Sequence, residues 1–243
     1  MTYALFGSAA NRYDWHTPPY HYQHDHVFVL SRLPKPPSRV LDAGCGTGVF
    51  LEKAIAAGFD AMGLDTSAEM VSIASSRVGS DRVLRARMQD LTEIEAYDSV
   101  VSLCWSFNYV SSFLEAEDVL TRFFNALRPQ GRLILQIAHA PNANGVLNED
   151  REPGPGGEPD DVLFLYRFHQ AKDGSAELIA QYVYGCKSRA ELLFEEHRLA
   201  AANAQEVAVR ASAVGFERVE LLDSWRGEPL EHSVSAFLVA VRS

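Results

Sequence analysis

The chain has 243 residues, of which 47% are hydrophobic, and these values predict a globular protein with a buried core. Its formal net charge of −10 argues against a nucleic-acid partner, since phosphate backbones are bound by clustered Lys and Arg. The three cysteines are isolated, which favours a reducing compartment over a disulfide framework. The sequence shows neither a membrane-length apolar stretch nor a signal-peptide pattern, so we predict a cytoplasmic protein without membrane association.

Residues 1–38 precede the first predicted core strand and are rich in Tyr, Trp and His. The cluster of His21, His24, Asp25 and His26 suggests a metal site. On a helix, however, His21 and His24 share one face while the other two side chains point elsewhere. No second ligand cluster with metal spacing follows in the sequence, so we predict no metal site.

The first core strand is predicted to end in Asp42 and to run into a loop that contains Gly44, Gly46 and Gly48. A helical pattern follows, and a strand, glycine loop and helix in this order present backbone N–H groups to a ligand. A dinucleotide-binding loop reads G-x-G-x-x-G, whereas the pattern here is D-x-G-x-G-x-G. Asp42 would repel a phosphate but could orient a cationic or amino-bearing ligand.

Two further strands are predicted to lead to acids. Asp65 ends the second strand, about twenty residues beyond the loop, where a carboxylate can accept hydrogen bonds from both hydroxyls of an adenosine ribose. Thr66 or Ser67 then caps a helix. The third strand leads to Asp90. A single acid at a strand end is more often a helix cap or a solvated charge, but three in this order favour a shared ligand site.

Strands and helices alternate from residue 39 to 138, which predicts a parallel sheet covered on both faces. The fourth strand, 98–103, is almost entirely apolar, as a strand covered on both faces should be. Ligands bind at the carboxyl ends of such strands. Trp105, Asn108 and Tyr109 follow this strand and are therefore predicted to form a wall of the substrate pocket.

Residues 141–161 are rich in Pro, Gly, Asn and Asp, and this composition predicts a long loop. Three strands are predicted next, over 162–169, 176–185 and 190–199, the first two as a hairpin. Asn203 is predicted to cap the last helix, and two further strands complete the chain.

The glycine loop, the string GLDTSAEMVSIA around Asp65 and the string MQDL together resemble motifs of class I S-adenosylmethionine-dependent methyltransferases. The resemblance implies an α/β fold with a doubly wound, mostly parallel seven-stranded sheet and an antiparallel strand insertion after the fifth strand. It also implies four regions: an N-terminal helical lid (1–38), a cofactor-binding core (39–138), a loop and antiparallel insertion that caps the substrate (139–202), and the last part of the core sheet (203–243).

The same resemblance implies S-adenosyl-L-methionine as the cofactor. The glycine loop of this family packs against the methionyl part of the cofactor, and the acid after the third strand binds the adenine amino group. The residues predicted to bind the cofactor are Tyr13, Asp42, Gly44, Cys45, Gly46, Gly48, Asp65, Thr66, Met70, Gln89, Asp90, Leu91 and Cys104.

Residues 1–38 are similar to the N-terminal helices of glycine N-methyltransferase and of amino-sugar N-methyltransferases. Tyr13 matches the first tyrosine of those helices, and Tyr20 or Tyr22 matches the second, although these rings could also simply pack the segment onto the core. His139 and Asn142 lie where glycine methyltransferases carry a His and an Asn, although a His at a strand end could instead be bonded to a neighbouring carbonyl. The resemblance thus implies His139, Tyr13 and Tyr22 as catalytic residues, and Trp105, Asn108, Tyr109, Tyr20, Tyr22, His139 and Asn142 as substrate-binding residues.

The segment YDSVVSLCWSFNYV is similar to the pocket strand of the amino-sugar N-methyltransferases. It lacks the Asn/Asp-Pro-Pro-Tyr/Phe tetrad with which other methylases bind planar nitrogens, and this favours an sp³ amine or an oxygen acceptor. We therefore predict N-methylation of a small amine in secondary metabolism. O-methylation of a hydroxyl or carboxylate, and a non-catalytic cofactor-binding subunit, remain as alternatives, and a homodimer is left open.

Overall fold

The computed structural model describes residues 3–243 and contains two β-sheets. The first five strands are β1 (Arg39–Ala43), β2 (Asp60–Asp65), β3 (Val83–Arg85), β4 (Tyr97–Ser102) and β5 (Leu127–Ala138). The next four are β6 (Asn148–Glu152), β7 (Val162–Gln170), β8 (Leu178–Cys186) and β9 (Glu191–Leu199). The last two are β10 (Phe216–Leu222) and β11 (Ser235–Arg242).

The larger sheet has seven strands in the order β10-β11-β5-β4-β1-β2-β3. β1 pairs in parallel with β2 on one side and with β4 on the other, so the strand order reverses beside β1. β11 is antiparallel to both of its neighbours, β5 and β10. This topology confirms the predicted doubly wound, mostly parallel seven-stranded sheet.

The α-helices are α1 (Tyr13–His16), α2 (Gln23–Arg32), α3 (Val49–Ala56), α4 (Ala68–Val78), α5 (Phe113–Ala126) and α6 (Ala204–Val214). The helices from α2 to α6 pack on the two faces of this sheet, whereas α1 lies against β6 and β7 of the smaller sheet. Successive strand residues point to opposite faces. Leu41 and Val100 accordingly join the core beneath α5 and α6, whereas Val40 and Val101 join the core beneath α2 and α3. Asn203 caps α6 as predicted, since its side chain accepts from the N–H groups of Gln205 and Glu206.

The smaller sheet is antiparallel, in the order β6-β7-β8-β9, and lies in the chain between β5 and α6. Leu178, Ala180 and Leu199 of this sheet pack against Ala138 and Ala140 at the end of β5. This arrangement confirms the predicted antiparallel insertion and places it over the carboxyl end of the larger sheet. The division of the chain into four regions stays a prediction.

The predicted loop over 141–161 is wrong in one part, because β6 lies within it. β6 is an edge strand of sequence NEDRE that pairs with β7 alone. Of its five residues only Glu152 is buried, so no apolar alternation marks the strand in the sequence. Its pairing comes from the neighbouring strand and not from its own side chains.

Candidate active site

A cavity of about 820 Å³ lies at the carboxyl ends of β1, β2 and β4. This is the position beside β1 where the strand order reverses, which is where open α/β sheets bind ligands. Residues from Tyr3 to His26 of the N-terminal segment supply another part of the wall. The volume is of the size that encloses a small-molecule ligand.

The cavity brings together most of the cofactor residues predicted from the sequence, and also two tyrosines from each of the predicted catalytic and substrate sets. The predicted residues that line it are Tyr13, Tyr22, Asp42, Gly44, Cys45, Gly46, Asp65, Thr66, Met70, Gln89, Cys104 and Tyr109. Eight predicted residues do not line it: Tyr20, Gly48, Asp90, Leu91, Trp105, Asn108, His139 and Asn142.

Asp65 connects the end of β2 to the glycine loop. Its Oδ2 accepts from the N–H of Gly46 at 3.0 Å, and its Oδ1 accepts from the N–H of Ser67 at 2.9 Å. Each carboxylate oxygen can accept more than one hydrogen bond. Asp65 is therefore held in place by the backbone and still has lone pairs for the hydroxyl groups of a ligand.

The glycines of the loop serve different purposes. Gly46 has a φ of +53°, and a Cβ at this position would have no atom within 4 Å, because it would point into open space. Gly48, in contrast, would place a Cβ 3.0 Å from the Cβ of Ala74. Gly46 thus leaves room for a ligand, whereas Gly48 differs from the sequence expectation and allows α3 to pack closely on α4.

Asp42 is a buried acid with an oxygen that has no partner. Its side chain is 2% exposed, and Oδ1 accepts no hydrogen bond within the protein. Burial, together with the nearby charge of Asp65, raises the pKa of Asp42 to about 8. A buried carboxylate is stable when it is paired with a cation, so Asp42 favours a positively charged ligand group.

Replacement of Asp42 by Asn should stabilise the ligand-free protein, and more so at high pH. The folded-state pKa of about 8 lies above the ordinary value of 3.8. The wild type therefore loses stability as the pH rises from about 4 towards 8, and the neutral amide does not. We expect Asp42→Asn to raise the midpoint of thermal unfolding by clearly more at about pH 8 than at about pH 5. An equal change at both pH values would contradict this assignment.

Asp14 anchors the N-terminal segment to the core. Its Oδ1 accepts from the hydroxyl of Thr47 at 2.8 Å, and its Oδ2 accepts from the guanidinium of Arg77 at 2.5 Å. The hydroxyl of Ser67 donates to the carbonyl of Phe6 at 2.5 Å. The sequence predicts a role for Tyr13 but none for its neighbour Asp14, since Thr47 and Arg77 are both distant from Asp14 in the chain.

Tyr13 and Tyr22 both line the cavity. Burial is the main cause that raises the pKa of each phenol. Both hydroxyl groups are therefore neutral at physiological pH and can donate or accept hydrogen bonds. Tyr20 lies elsewhere: it is 59% exposed and its hydroxyl donates to Glu152, so of the two candidates for the second lid tyrosine only Tyr22 reaches the cavity.

His139 does not face the cavity, although the sequence predicts it as a catalytic residue. Its side chain is 3% exposed, and its Nδ1 accepts from the N–H of Ala204 at 3.2 Å. Asn142 lies nearby and donates to the carbonyls of Glu231 and Ser233. These contacts hold the start of α6 and the segment before β11, so the geometry gives no support to a role in catalysis or substrate binding.

Asn108 and Trp105 also hold the structure together. The amide nitrogen of Asn108 donates to the carbonyls of Ala200 and Ala201, and its oxygen accepts from the N–H of Ala138. Trp105 donates from Nε1 to the hydroxyl of Ser235 at 2.9 Å. The sequence predicted that both residues form the substrate wall, but neither lines the cavity. The short helical turn after β4 directs neighbouring side chains to different sides.

At the adenine end of the predicted site, Gln89 lines the cavity in place of its neighbours Asp90 and Leu91. The side-chain amide of Gln89 donates to Glu115 at 2.7 Å. Asp90 instead accepts from the N–H of Arg87 at 3.4 Å, and Leu91 is buried in the core. Of the three residues predicted here, Gln89 is the one that lines the cavity, and its part in binding adenine stays a prediction.

Within residues 3–243, His, Cys, Asp and Glu side chains form no group of three or more that could hold a metal ion. In the same part of the chain, none of the helices combines the length and the hydrophobicity that crossing a bilayer requires.

The fold and the cavity define a class of protein, an α/β protein with a ligand-sized cavity at the carboxyl ends of its parallel strands. A family model described as a methyltransferase domain matches residues 15–221, and the chain belongs to this family. The match confirms the predicted class, the S-adenosylmethionine-dependent methyltransferases, and the predicted cofactor.

Two relatives show the range of reactions in the family. The chain is 31% identical to the glycine/sarcosine N-methyltransferase of Halorhodospira halochloris over 128 residues. This aligned region covers 50% of this chain and 46% of the relative. The chain is also 36% identical to the malonyl-[acyl-carrier protein] O-methyltransferase of Pectobacterium atrosepticum over 111 residues. That aligned region covers 46% of this chain and 41% of the relative. The chain spans about half the length of the curated relatives it matches.

Among solved structures, the fold is similar to that of SAM-bound CalS10, an amino pentose methyltransferase from Micromonospora echinaspora involved in calicheamicin biosynthesis. The TM-score is 0.70 at 20% identity, and the match covers 100% of this chain and 98% of CalS10. This likeness concerns the fold alone.

The cavity residues fit the chemistry of S-adenosylmethionine. Asp42 offers a buried, unpartnered oxygen to a ligand that carries positive charge. Gly46 leaves space where a side chain would intrude, and Asp65 offers acceptors for ribose hydroxyls. The three features therefore suit three different parts of one cationic nucleoside: its positive charge, its methionyl chain and its ribose.

Proposed function

We propose that this chain transfers a methyl group from S-adenosylmethionine to the amine of a small molecule in secondary metabolism. The observation that carries the proposal is the aromatic wall formed by Phe6, Tyr13, Tyr22 and Tyr109 in the cavity. Aromatic faces attract alkylammonium groups through cation–π interactions. The names of the glycine/sarcosine and amino pentose methyltransferases give amine acceptors and support the same choice.

The protein's contribution to this reaction is positioning and the exclusion of water. The cofactor supplies a methyl group activated by its attachment to a sulfonium. An alkylamine with a pKa of about 10.4 is neutral only about once in a few thousand molecules at pH 7, which costs ~4.6 kcal/mol. Burial in the cavity lowers that pKa, because desolvation disfavours the ammonium form. The N-terminal segment covers this region and keeps water away from the reacting groups.

Transfer to oxygen is the second candidate, because the chain shares 36% identity over 111 residues with an O-methyltransferase. An oxygen acceptor gains nothing from cation–π contacts, so the aromatic wall favours the amine. A homodimer and a cytoplasmic location stay predictions.

A panel of matched acceptors tests the proposal. Each amino sugar or small amine is paired with the compound that carries a hydroxyl in place of the amine, and the release of S-adenosylhomocysteine is measured. We expect turnover of amines and little turnover of their hydroxyl counterparts. Turnover confined to hydroxyls would favour O-methylation, and tight cofactor binding without any turnover would favour a non-catalytic subunit.

A further inference from the structure

Tyr109, His197 and Glu195 form a chain of hydrogen bonds that runs from the cavity wall into the interior. Tyr109 lines the cavity, and its hydroxyl lies 2.6 Å from Nδ1 of His197. On the other side of the ring, Nε2 of His197 lies 3.3 Å from Oε2 of Glu195. His197 is 0% exposed, so its two nitrogens have these side chains as partners and not bulk water.

Glu195 is held in its ionised form. Burial raises the pKa of Glu195, but hydrogen bonds from the Tyr184 hydroxyl and from two backbone N–H groups outweigh it and hold that pKa below its ordinary value. Tyr184 donates at 2.7 Å, Leu5 at 2.9 Å and Ala4 at 2.5 Å. The N-terminal segment therefore donates two backbone hydrogen bonds to this carboxylate.

The ionised carboxylate determines where the proton of His197 lies. A carboxylate can only accept, so Nε2 of His197 must carry the hydrogen and donate it. Nδ1 is then a bare acceptor, because burial lowers the pKa of His197 and keeps the ring neutral. The Tyr109 hydroxyl donates to Nδ1, which leaves lone pairs on its oxygen that can accept a further hydrogen bond. The arrangement matches the logic of hydroxyl–histidine–carboxylate triads.

We propose that Tyr109, His197 and Glu195 form a relay that takes the proton from the methyl acceptor. The N–H bond of the bound ammonium breaks and its proton moves to the Tyr109 oxygen, while the Tyr109 O–H proton moves to Nδ1 of His197. The nitrogen keeps the electron pair of the broken bond, which is then free to take the methyl group. The resulting imidazolium is paired with the Glu195 carboxylate.

The surroundings of His197 suit this role. The ring of Tyr3 stacks on His197 with centroids 3.8 Å apart, and the ring of Tyr182 meets it edge-on at 5.0 Å. The titratable groups that face His197 are thus Tyr3 from the N-terminal segment, Tyr109 from the turn after β4, Tyr182 from β8 and Glu195 from β9 itself. Glu195 supplies the negative charge among them, and it favours the protonated ring.

The relay rests on the proposed methylation of an amine, but its geometry can be tested without any acceptor. In the 243-residue chain with ¹⁵N-labelled histidine and S-adenosylhomocysteine, we expect His197 at pH 7 to be neutral with its proton on Nε2. Tyr109→Phe should shift the Nδ1 resonance, because that nitrogen loses its donor. A proton on Nδ1, or a cationic ring at pH 7, would overturn the proposal.

The second readout uses the amine that the acceptor panel identifies. Tyr109→Phe should lower kcat by about 10²-fold with little change in KM, as expected for the loss of acid–base catalysis. In the pH profile of this variant, the midpoint of the rise in kcat on the acid side should move to higher pH, towards the pKa of the amine. Tyr166→Phe, which removes a tyrosine hydroxyl outside the cavity, is the matched control and should leave both unchanged.

An unchanged kcat and pH profile in Tyr109→Phe, or an effect confined to KM, would overturn the relay even if the amine is methylated. A panel in which no amine is turned over would instead contradict the proposed function, and the position of the His197 proton would then decide the relay by itself.

Discussion

Gly46→Val is expected to weaken the binding of S-adenosylmethionine by about a hundredfold or more while the protein stays folded. The position takes a positive φ and faces open space within the cavity wall, so a branched side chain would occupy the volume that the methionyl part of the cofactor needs. Forcing such a side chain against a ligand costs about 3 kcal/mol or more, which corresponds to a loss of affinity of about a hundredfold. Isothermal titration with S-adenosylhomocysteine measures this loss.

Gly174→Val is the matched control for the backbone strain in Gly46→Val. Gly174 has a φ of +76°, also has no atom within 4 Å of an added Cβ, and lies in an exposed hairpin turn outside the cavity. Both variants should lose similar thermal stability, but only Gly46→Val should lose the ligand. An unchanged dissociation constant in folded Gly46→Val would show that the glycine loop is not the cofactor site.

The second large effect is expected from Asp14→Ala, which releases the N-terminal segment. The change removes the acceptor for Thr47 and for the Arg77 guanidinium. Hydrogen bonds to a charged group contribute about 1.5–3 kcal/mol, so cofactor affinity should fall roughly tenfold to a hundredfold if closure of the segment is coupled to binding. Hydrogen exchange over residues 3–22 should become faster in the ligand-bound protein.

The control for Asp14→Ala is Asp118→Ala. This change breaks an exposed ion pair on α5, in which the side chains of Asp118 and Arg122 are 3.0 Å apart and lie outside the cavity. Exposed pairs contribute little, so this variant should bind and exchange like the wild type. If Asp14→Ala showed the same exchange and the same affinity as Asp118→Ala, the N-terminal segment could not be a cofactor-linked cover.

Several residues predicted to bind the cofactor lie together in the cavity, for a physical reason, and their binding roles stay predictions. Asp42, Gly46 and Asp65 lie at the ends of consecutive parallel strands, and such ends meet at one edge of the sheet. Their identity and their place in the strand-loop-helix pattern were therefore enough to bring them together. Gly48 belongs to the same motif, yet it packs α3 on α4, because a pattern does not reveal which glycine faces the ligand.

The acceptor half was harder to predict because its residues are distant in the chain. Tyr109 and His197 are 88 positions apart, and no local pattern links a turn after β4 to the strand β9. The alternation along β9 does place Glu195 and His197 on one face, but the sequence could not show which face meets the cavity. His139 follows the end of β5, as the sequence predicted. Its ring, however, accepts a hydrogen bond from the N–H of Ala204 at the start of α6 and does not face the cavity.

Titration of the wild-type chain with S-adenosylmethionine, and separately with NAD, tests the central claim most directly. Asp42, Asp65 and the open space at Gly46 suit a cationic nucleoside, whereas the D-x-G-x-G-x-G loop lacks the G-x-G-x-x-G spacing that binds a pyrophosphate. We expect a micromolar or tighter dissociation constant for S-adenosylmethionine and no binding of NAD. Binding of NAD without binding of S-adenosylmethionine would contradict the account.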